Sequence, residues 1–136
     1  MQNAKILIIE DAETLRNELA AFLTNYGYKV EAPDDFQNVM KYASQEDIHL
    51  ILLDINLPVF DGYYICREVR KNSQVPIIIV TSRDTEIDEL MSMNLGADDF
   101  VTKPYNTQIL LARIENILRR TYAKQESTIL TFKDLK

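Results

Sequence analysis

The feature that most constrains the fold is a short apolar run that stops abruptly at a carboxylate. Residues 49–53 are His-Leu-Ile-Leu-Leu, Asp54 follows at once, and Pro58 prevents the strand from continuing. A continuous apolar run of this length is typical of a strand that is covered on both faces of a parallel sheet. Such sheets bind ligands beyond the carboxyl ends of their strands. Asp54 therefore lies where this architecture places chemistry, although a lone aspartate at this position also caps turns.

Four further short runs that are predicted to be strands alternate with segments of helical spacing. These additional strands are predicted at residues 5–9, 28–31, 76–80 and 98–101. Between the first two runs, Leu15, Leu19 and Leu23 share one helix face, and Gly27 follows where a C-cap is expected. Such alternation gives right-handed crossovers and places helices on both faces of one sheet. We predict an α/β fold, a flavodoxin-like (βα)5 doubly wound parallel sheet with strand order 2-1-3-4-5.

The composition indicates an ordinary globular domain. Its 136 residues carry 21 acidic and 15 basic side chains, a net charge of −6. This balance argues against nucleic-acid binding by the chain itself, because phosphate contact requires a basic face. The single cysteine, Cys66, excludes an internal disulfide and is typical of a reducing compartment. With neither a signal-peptide pattern nor an apolar stretch of about 18 residues, we expect a cytoplasmic location and no membrane partner.

Polar side chains follow the ends of four predicted strands. Glu10 and Asp11 follow the first strand, Asp54 follows the third, Thr81 follows the fourth and Lys103 follows the fifth. The first and third strands are neighbours in the predicted order, so Asp11 and Asp54 should converge. Crowded carboxylates share a proton or a cation, and an all-oxygen cluster suits Mg²⁺.

A carboxylate nucleophile, a metal ion, a hydroxyl and a lysine around one point are the parts of a phosphoryl-transfer site. Each residue alone also has a plain explanation. Asp11 is a suitable helix N-cap, Thr81 a suitable turn hydroxyl, and Lys103 a suitable solvated loop charge. Their joint occurrence at the ends of the appropriate strands favours the site.

The sequence resembles the receiver domains of two-component response regulators, and the OmpR/PhoB subfamily in particular. The resemblance covers about residues 4–121. It is carried by the runs Ile8-Ile9-Glu10-Asp11, Leu53-Asp54-Ile55-Asn56-Leu57-Pro58, Asp61-Gly62, Val80-Thr81-Ser82-Arg83, Gly96-Ala97-Asp98-Asp99-Phe100-Val101-Thr102-Lys103-Pro104, Leu111-Ala112-Arg113-Ile114 and Leu118-Arg119-Arg120.

The resemblance implies a role for each residue of the predicted site. Asp54 would accept a phosphoryl group from the phosphohistidine of a cognate sensor histidine kinase. Mg²⁺ would be bound by Asp11, by Asp54 and by the backbone carbonyl of Asn56, with Glu10 acting through bound water. Lys103 would pair with the Asp54 carboxylate and then with the phosphoryl oxygens. Asn56 and Arg83 flank the site.

The resemblance also implies a switch. Thr81 would turn inwards to hydrogen-bond the phosphoryl group, and the aromatic residue at position 100 would rotate into the space that Thr81 leaves. Position 100 is Phe100 rather than the commoner tyrosine, so coupling here must depend on packing alone. The Lys103–Pro104 bond resembles a cis peptide of the family.

Receiver domains of this subfamily dimerise on activation through the fourth helix, fifth strand and fifth helix. Leu90, Met93 and Leu111 are predicted to supply the apolar part of that face, and Asp99 with Arg113 one ion pair. Two other pairs usual in the subfamily are missing. Glu89 and Ile109 stand at the positions of one, and Asn94 and Glu115 at those of the other. Exposed pairs contribute only about 0–1 kcal/mol each, but they help to set partner choice.

We predict two parts in the chain. Residues 1–122 would form the receiver domain. Residues 123–127 would form a polar linker, and residues 128–132 resemble the first strand of the subfamily's winged-helix DNA-binding domain, with a flexible apolar tail as the alternative. Binding of DNA and control of transcription would then belong to that missing domain of a longer regulator.

The expected function is a phospho-switch rather than an enzyme, although the domain would assist its own phosphorylation and dephosphorylation. A phosphatase with an aspartate nucleophile would need a second acid where Asn56 stands. A flavin carrier would need a phosphate-cradling loop after the first strand, where Glu10 and Asp11 would repel a phosphate. The most serious alternative is a receiver that acts without phosphorylation as a protein-interaction module, yet every residue for phosphorylation is present.

Overall fold

Five strands and five helices alternate along the part of the chain that the computed structural model describes, residues 3–134, with side chains described as far as residue 123. The strands are β1 (Lys5–Ile9), β2 (Lys29–Glu31), β3 (Leu50–Leu53), β4 (Ile77–Thr81) and β5 (Asp99–Thr102). The helices are α1 (Glu13–Asn25), α2 (Val39–Ala43), α3 (Gly62–Asn72), α4 (Glu86–Asn94) and α5 (Thr107–Asp134), with a 3-10 turn at Phe36–Asn38 before α2.

All five strands are parallel and lie in the order β2-β1-β3-β4-β5, which confirms the predicted topology. Successive residues of a strand point to opposite faces of the sheet. Leu50 and Leu52 therefore pack into the core beneath α1 and α5, whereas Ile51 and Leu53 pack into the core beneath α2 and α3. Full burial of each such side chain contributes about 1.5–3 kcal/mol. Because both faces of β3 are covered, its sequence does not alternate between apolar and polar residues.

The α4 helix is packed more lightly than its neighbours. Ser92 is its one buried residue, and its hydroxyl donates a hydrogen bond to the Asp88 carbonyl. Leu90 is 60% exposed and Met93 is 43% exposed. A helix with so little buried apolar surface can shift at low cost in free energy.

The prediction that Leu111 contributes to an exposed apolar face is wrong. Leu111 is only 2% exposed and lies in the core beneath α1 and α5. The apolar residues of α5 that point inwards are spaced i, i+1, i+4, i+7 and i+8, which describes one wide stripe. They are Leu110, Leu111, Ile114, Ile117 and Leu118.

The α5 helix extends to Asp134, although a linker was predicted at residues 123–127 and a strand at 128–132. The difference has a physical reason. A strand needs a neighbouring strand for its backbone hydrogen bonds, and the five described strands pair only with one another. A helix satisfies its backbone locally. The assignment of residues 123–136 to a further domain stays a prediction, and residues 135 and 136 lie outside the described part.

A bilayer-spanning helix needs both length and a strongly apolar composition. No helix within residues 3–134 has both.

Candidate functional site

The carboxyl ends of β1, β3, β4 and β5 meet at one edge of the sheet and bring the predicted site residues together. The backbone fixes the alignment of these ends. The Asp54 N–H donates to the Ile9 carbonyl at 3.0 Å, and the Lys103 N–H donates to the Thr81 carbonyl at 2.8 Å. The side chains that leave each strand therefore start from neighbouring points, as the predicted strand order required.

Three carboxylates converge at this edge. Glu10, Asp11 and Asp54 each offer an oxygen, and these oxygens lie within 4.8 Å of one another. Glu10 and Asp54 are each 4% exposed, whereas Asp11 is exposed. The arrangement is a half-buried cluster of hard oxygen ligands that opens to solvent on the Asp11 side.

Lys103 is the cation that faces this cluster. Its Nζ lies 2.5 Å from Oε1 of Glu10 and 2.9 Å from Oδ2 of Asp54. Burial lowers the pKa of Lys103, but the hydrogen bonds to Glu10 and Asp54 outweigh burial, so this pKa is raised. The peptide bond from Lys103 to Pro104 is cis, the isomer that the resemblance implies.

The cluster nevertheless holds more negative than positive charge. Burial raises the pKa of Glu10, despite opposing hydrogen bonds from Lys103 and from the Ala12 N–H. One ammonium group facing three carboxylates leaves an excess of negative charge, which a divalent cation would neutralise. Carboxylate oxygens are the ligands that Mg²⁺ prefers, so the residues present fit this ion.

Asp54 is held from three sides. Its Oδ1 accepts a hydrogen bond from the Asn56 N–H at 2.9 Å, and its Oδ2 accepts the bond from Lys103. Behind it, a Cβ at Gly62 would lie 2.5 Å from the Asp54 carbonyl oxygen and 2.6 Å from the Cα of Ile55. Only glycine allows the start of α3 to approach Asp54 so closely.

Thr81 and Phe100 occupy the same face of the sheet. Thr81 is fully buried, and its Oγ1 accepts a hydrogen bond from the Arg83 N–H at 3.3 Å. In the β4–β5 pairing Thr81 aligns with Thr102 and Ile79 with Phe100, so Phe100 is a diagonal neighbour of Thr81. Phe100 is half-buried and packs against the core beneath α2 and α3. A movement of Thr81 would therefore change the space beside Phe100.

The residues predicted for a dimer face lie at different depths. Leu90 and Met93 are exposed, whereas Leu111 is in the core. Asp99 and Arg113 do form an ion pair, and they form it within one chain, with Arg113 Nη1 2.9 Å and 3.0 Å from the two carboxylate oxygens.

Three further apolar side chains are exposed, two of them on α4 with Leu90 and Met93 and one at the start of α5. They are Ile87, Met91 and Ile109.

Sequence analysis missed Arg16, which supports the cluster from behind. Its guanidinium is buried and donates to the Glu10 carbonyl oxygen at 3.0 Å. The signal was present in the sequence, since Arg16 shares the helical spacing of Leu19 and Leu23 and so had to lie on the buried face of α1. A buried arginine requires a hydrogen-bond acceptor, and the carbonyl of the first site residue supplies it.

Comparison with known proteins identifies the family. The model of the response regulator receiver domain matches residues 6–115. The transcriptional regulatory protein YxdJ of Bacillus subtilis is 40% identical over 132 residues, which are 94% of this chain and 58% of YxdJ. The response regulator protein GraR of Staphylococcus aureus is 40% identical over 132 residues, which are 96% of this chain and 59% of GraR. The chain thus spans less than two thirds of the length of these curated relatives.

Solved structures agree with the sequence relatives. The N-terminal domain of the nisin resistance regulator NsrR, a lantibiotic response regulator, is 37% identical with a TM-score of 0.78, over 87% of this chain and 100% of that domain. The BeF3-activated receiver domain of Klebsiella pneumoniae RstA is 33% identical with a TM-score of 0.80, over 85% of this chain and 98% of that one. DrrB of Thermotoga maritima, an OmpR/PhoB homologue, is 30% identical with a TM-score of 0.78, over 89% of this chain and 54% of DrrB. The chain accordingly belongs to the response regulator receiver domains of two-component systems, and OmpR/PhoB-type receivers are among its structural neighbours.

Proposed function

We propose that this receiver domain accepts a phosphoryl group on Asp54 from the phosphohistidine of a sensor kinase. The observation that carries the proposal is the convergence of a buried Asp54 carboxylate with Lys103, Thr81 and two further acids at one sheet edge. An Asp54 oxygen would attack phosphorus, and the phosphorus–nitrogen bond would break with its electron pair remaining on the imidazole. The leaving imidazole takes up a proton, so that the products are an acyl phosphate on Asp54 and a neutral histidine on the kinase.

The chain's own residues prepare the carboxylate for this attack. The Asn56 N–H orients one oxygen of Asp54, and the Lys103 ammonium neutralises charge beside the other. Lys103 would then pair with the phosphoryl oxygens. Thr81 at present accepts from the Arg83 N–H, so its own hydroxyl proton is free to be donated to a phosphoryl oxygen. Transfer thus depends on positioning and on charge neutralisation, the usual means of catalysing this reaction.

Mg²⁺ is the cofactor that the carboxylates fit. Asp11, Asp54 and the backbone carbonyl of Asn56 would hold it, and Glu10 would act through bound water, as the resemblance implies. When bound, the ion supplies positive charge beside the transferred phosphoryl oxygens. The excess negative charge of the cluster supports this assignment.

Activation would act through α4, β5 and α5. A phosphoryl group on Asp54 would draw Thr81 inwards and leave room for the ring of Phe100. Self-association would follow through the exposed apolar side chains Leu90 and Met93, extended by Ile87 rather than by the buried Leu111. The Asp99–Arg113 pair is closed within one chain and would have to exchange partners to bridge two protomers.

The longer protein would be a cytoplasmic transcription regulator. Its curated relatives are longer than this chain and include a transcriptional regulatory protein. DNA binding would belong to a further domain that follows residue 122, and a homodimer of receivers would set the spacing of two such domains. The domain itself is a phosphoacceptor that assists its own phosphorylation and dephosphorylation.

Intact-mass spectrometry tests the proposal. The domain is incubated with Mg²⁺ and acetyl phosphate, and we expect the gain of one phosphoryl group. Asp54→Asn should abolish the gain. Asp61→Asn is the matched control, because Asp61 is an exposed aspartate of the same loop that caps α3, and asparagine caps equally well. Labelling of Asp54→Asn to the parent's extent would reject the assignment of the acceptor, and a parent that takes no label would favour the interaction module.

A further inference from the structure

Arg83 contacts the site at two points. It lies between β4 and α4, and its Nε donates to Oδ1 of Asn56 at 2.6 Å. Its backbone N–H donates to Oγ1 of Thr81 at 3.3 Å. Asn56 in turn orients the Asp54 carboxylate through its own N–H. The main chain of Arg83 therefore contacts Thr81 directly, and its side chain contacts Asn56, the residue that holds the Asp54 carboxylate.

The same guanidinium reaches α4. It lies over the ring of Tyr63, 5.8 Å from the ring centroid, and its Nη1 is 3.9 Å from Oδ1 of Asp88. The Tyr63 hydroxyl donates to this same Asp88 oxygen at 2.8 Å. The Asp88 carboxylate thus accepts a hydrogen bond from Tyr63 of α3 and forms an ion pair with Arg83 of the loop after β4.

Asp88 holds the first turn of α4. Its Oδ2 accepts from the Thr85 hydroxyl at 2.7 Å, and its N–H donates to Thr85 Oγ1 at 3.0 Å. The Glu89 N–H donates to the Thr85 carbonyl at 3.1 Å. A change in the partners of Asp88 is therefore a change at the N-terminal turn of a lightly packed helix, next to the exposed side chains of Ile87 and Leu90.

We propose that Arg83 is a positioning residue that couples the phosphorylation state of Asp54 to the first turn of α4. The inference rests on the proposed function, since it requires a phosphoryl group on Asp54. When the Thr81 hydroxyl turns to that group, the Arg83 N–H loses its acceptor. A phosphoryl dianion also attracts a guanidinium more strongly than the neutral amide of Asn56 does. Both changes draw Arg83 towards the site and away from Asp88.

This route is separate from the one through Phe100. Phe100 acts from β5 through the volume that Thr81 leaves, whereas Arg83 acts from the β4–α4 loop through polar contacts with Asn56 and Asp88. Removal of one should therefore leave the other in place.

Arg67 provides a matched control. Its guanidinium lies 5.6 Å from the ring centroid of Tyr64, one residue after the ring that Arg83 covers. Its ion pair is with Glu68 on the same helix, at 3.7 Å. The Arg67→Ala substitution removes the same kind of cation–π contact from α3 without touching Asn56 or Asp88.

The test is hydrogen exchange of the Asp88 and Glu89 amides, measured before and after phosphorylation and compared at equal label as determined by intact mass. In the parent and in Arg67→Ala, we expect phosphorylation to change this exchange. In Arg83→Ala, the exchange should already be faster without label, and the response to label should fall about threefold or more. Arg83→Lys keeps the charge but not the planar fork that reaches two acceptors, so its response should fall as well.

The two hypotheses fail in different measurements. A parent that takes no label contradicts the proposed function, which the mass measurement reports. An Arg83→Ala protein whose α4 responds to equal label as strongly as the parent's contradicts the coupling alone. A full response in Arg83→Lys overturns the bridge as described, because charge without the fork would then suffice.

Discussion

The ammonium group of Lys103 lies 2.9 Å from Oδ2 of Asp54, and both side chains are largely buried. The same ammonium contacts Glu10, so a single cation serves two buried carboxylates. Removing one partner of a buried pair is costly because it leaves the remaining charge without compensation.

We therefore expect Lys103→Met to lower the free energy of unfolding by about 3 kcal/mol at neutral pH without Mg²⁺. Millimolar Mg²⁺ should recover part of the loss, because the ion neutralises the same carboxylates. Urea unfolding with and without Mg²⁺ measures both effects. Lys71→Met is the control, since Lys71 forms an exposed pair with Glu68 and should change little. Equal losses from the two variants would show that the Lys103 pair is no more important than a surface pair.

The raised pKa of Lys103 predicts the pH dependence of this contribution. Because the folded-state pKa exceeds the ordinary value of 10.5, the stabilisation is fully present below that value and is lost as pH rises through the folded-state pKa. The stability difference between parent and Lys103→Met should thus be constant from neutral pH to about pH 9 and shrink above about pH 10.5. The tyrosines whose raised pKa does not depend on Lys103 cancel in this difference, whereas that of Tyr105 does not, because Lys103 lowers the pKa of Tyr105. A difference that grows with alkaline pH would contradict the assigned sign.

Binding of Mg²⁺ should depend on Asp11 more than on Glu10. Asp11 is exposed at the open side of the cluster, while Glu10 is buried against Lys103 and also accepts the Ala12 N–H. Loss of a direct ligand costs more than loss of a water-mediated contact. Calorimetric titration of Mg²⁺ into Asp11→Asn and Glu10→Gln measures the two affinities, and equal losses would reject the division of roles.

Gly62→Ala should destabilise the fold by about 1–3 kcal/mol, because the added Cβ would meet backbone atoms of Asp54 and Ile55 that cannot turn aside. Helix propensity acts in the opposite direction, since alanine at the start of α3 is favoured over glycine by up to about 1 kcal/mol. The sign of the change in the urea midpoint therefore decides which effect is larger. Stabilisation would mean that the loop moves away from Asp54 more easily than its contacts indicate.

Much of this structure could be predicted because its causes are local in sequence. An apolar run such as residues 50–53 is typical of a buried strand, and parallel strands end at a common edge, so Asp11, Asp54, Thr81 and Lys103 were expected to approach one another. The resemblance then supplied a role for each of them. The distances and the shared contact of Lys103 with Glu10 required coordinates.

What the sequence did not predict depends on packing between distant segments. Leu111 was assigned to the dimer face from the resemblance to the subfamily, but in this chain its side chain packs into the core. The contacts of Arg83 with Asn56 and Asp88 join residues from three separate loops and helices, and no spacing rule indicates them. The extension of α5 to Asp134 was not predicted because a strand at residues 128–132 needs a neighbouring strand, and the sequence alone does not show whether one is available.

Phe100 is the residue on which the proposed switch depends, and its position makes the switch testable. It lies diagonal to Thr81 on one sheet face and is half-buried against the core beneath α2 and α3. Because its ring has no hydroxyl to keep solvated, deeper burial is favoured by apolar transfer alone, at about 25 cal/mol per Å². The phosphoryl group thus biases a two-state element through the volume at position 100.

We expect Phe100→Ala to accept a phosphoryl group as the parent does but no longer to self-associate more tightly when phosphorylated. Phe100→Tyr keeps the bulk and should behave nearly as the parent does. Phe22→Ala is the control, since Phe22 is a half-buried aromatic residue on the opposite face of the sheet. Sedimentation of each variant with and without label measures the association. If phosphorylated Phe100→Ala associates as strongly as the parent, the ring is only core packing, and activation must reach α4 by another route, such as that through Arg83.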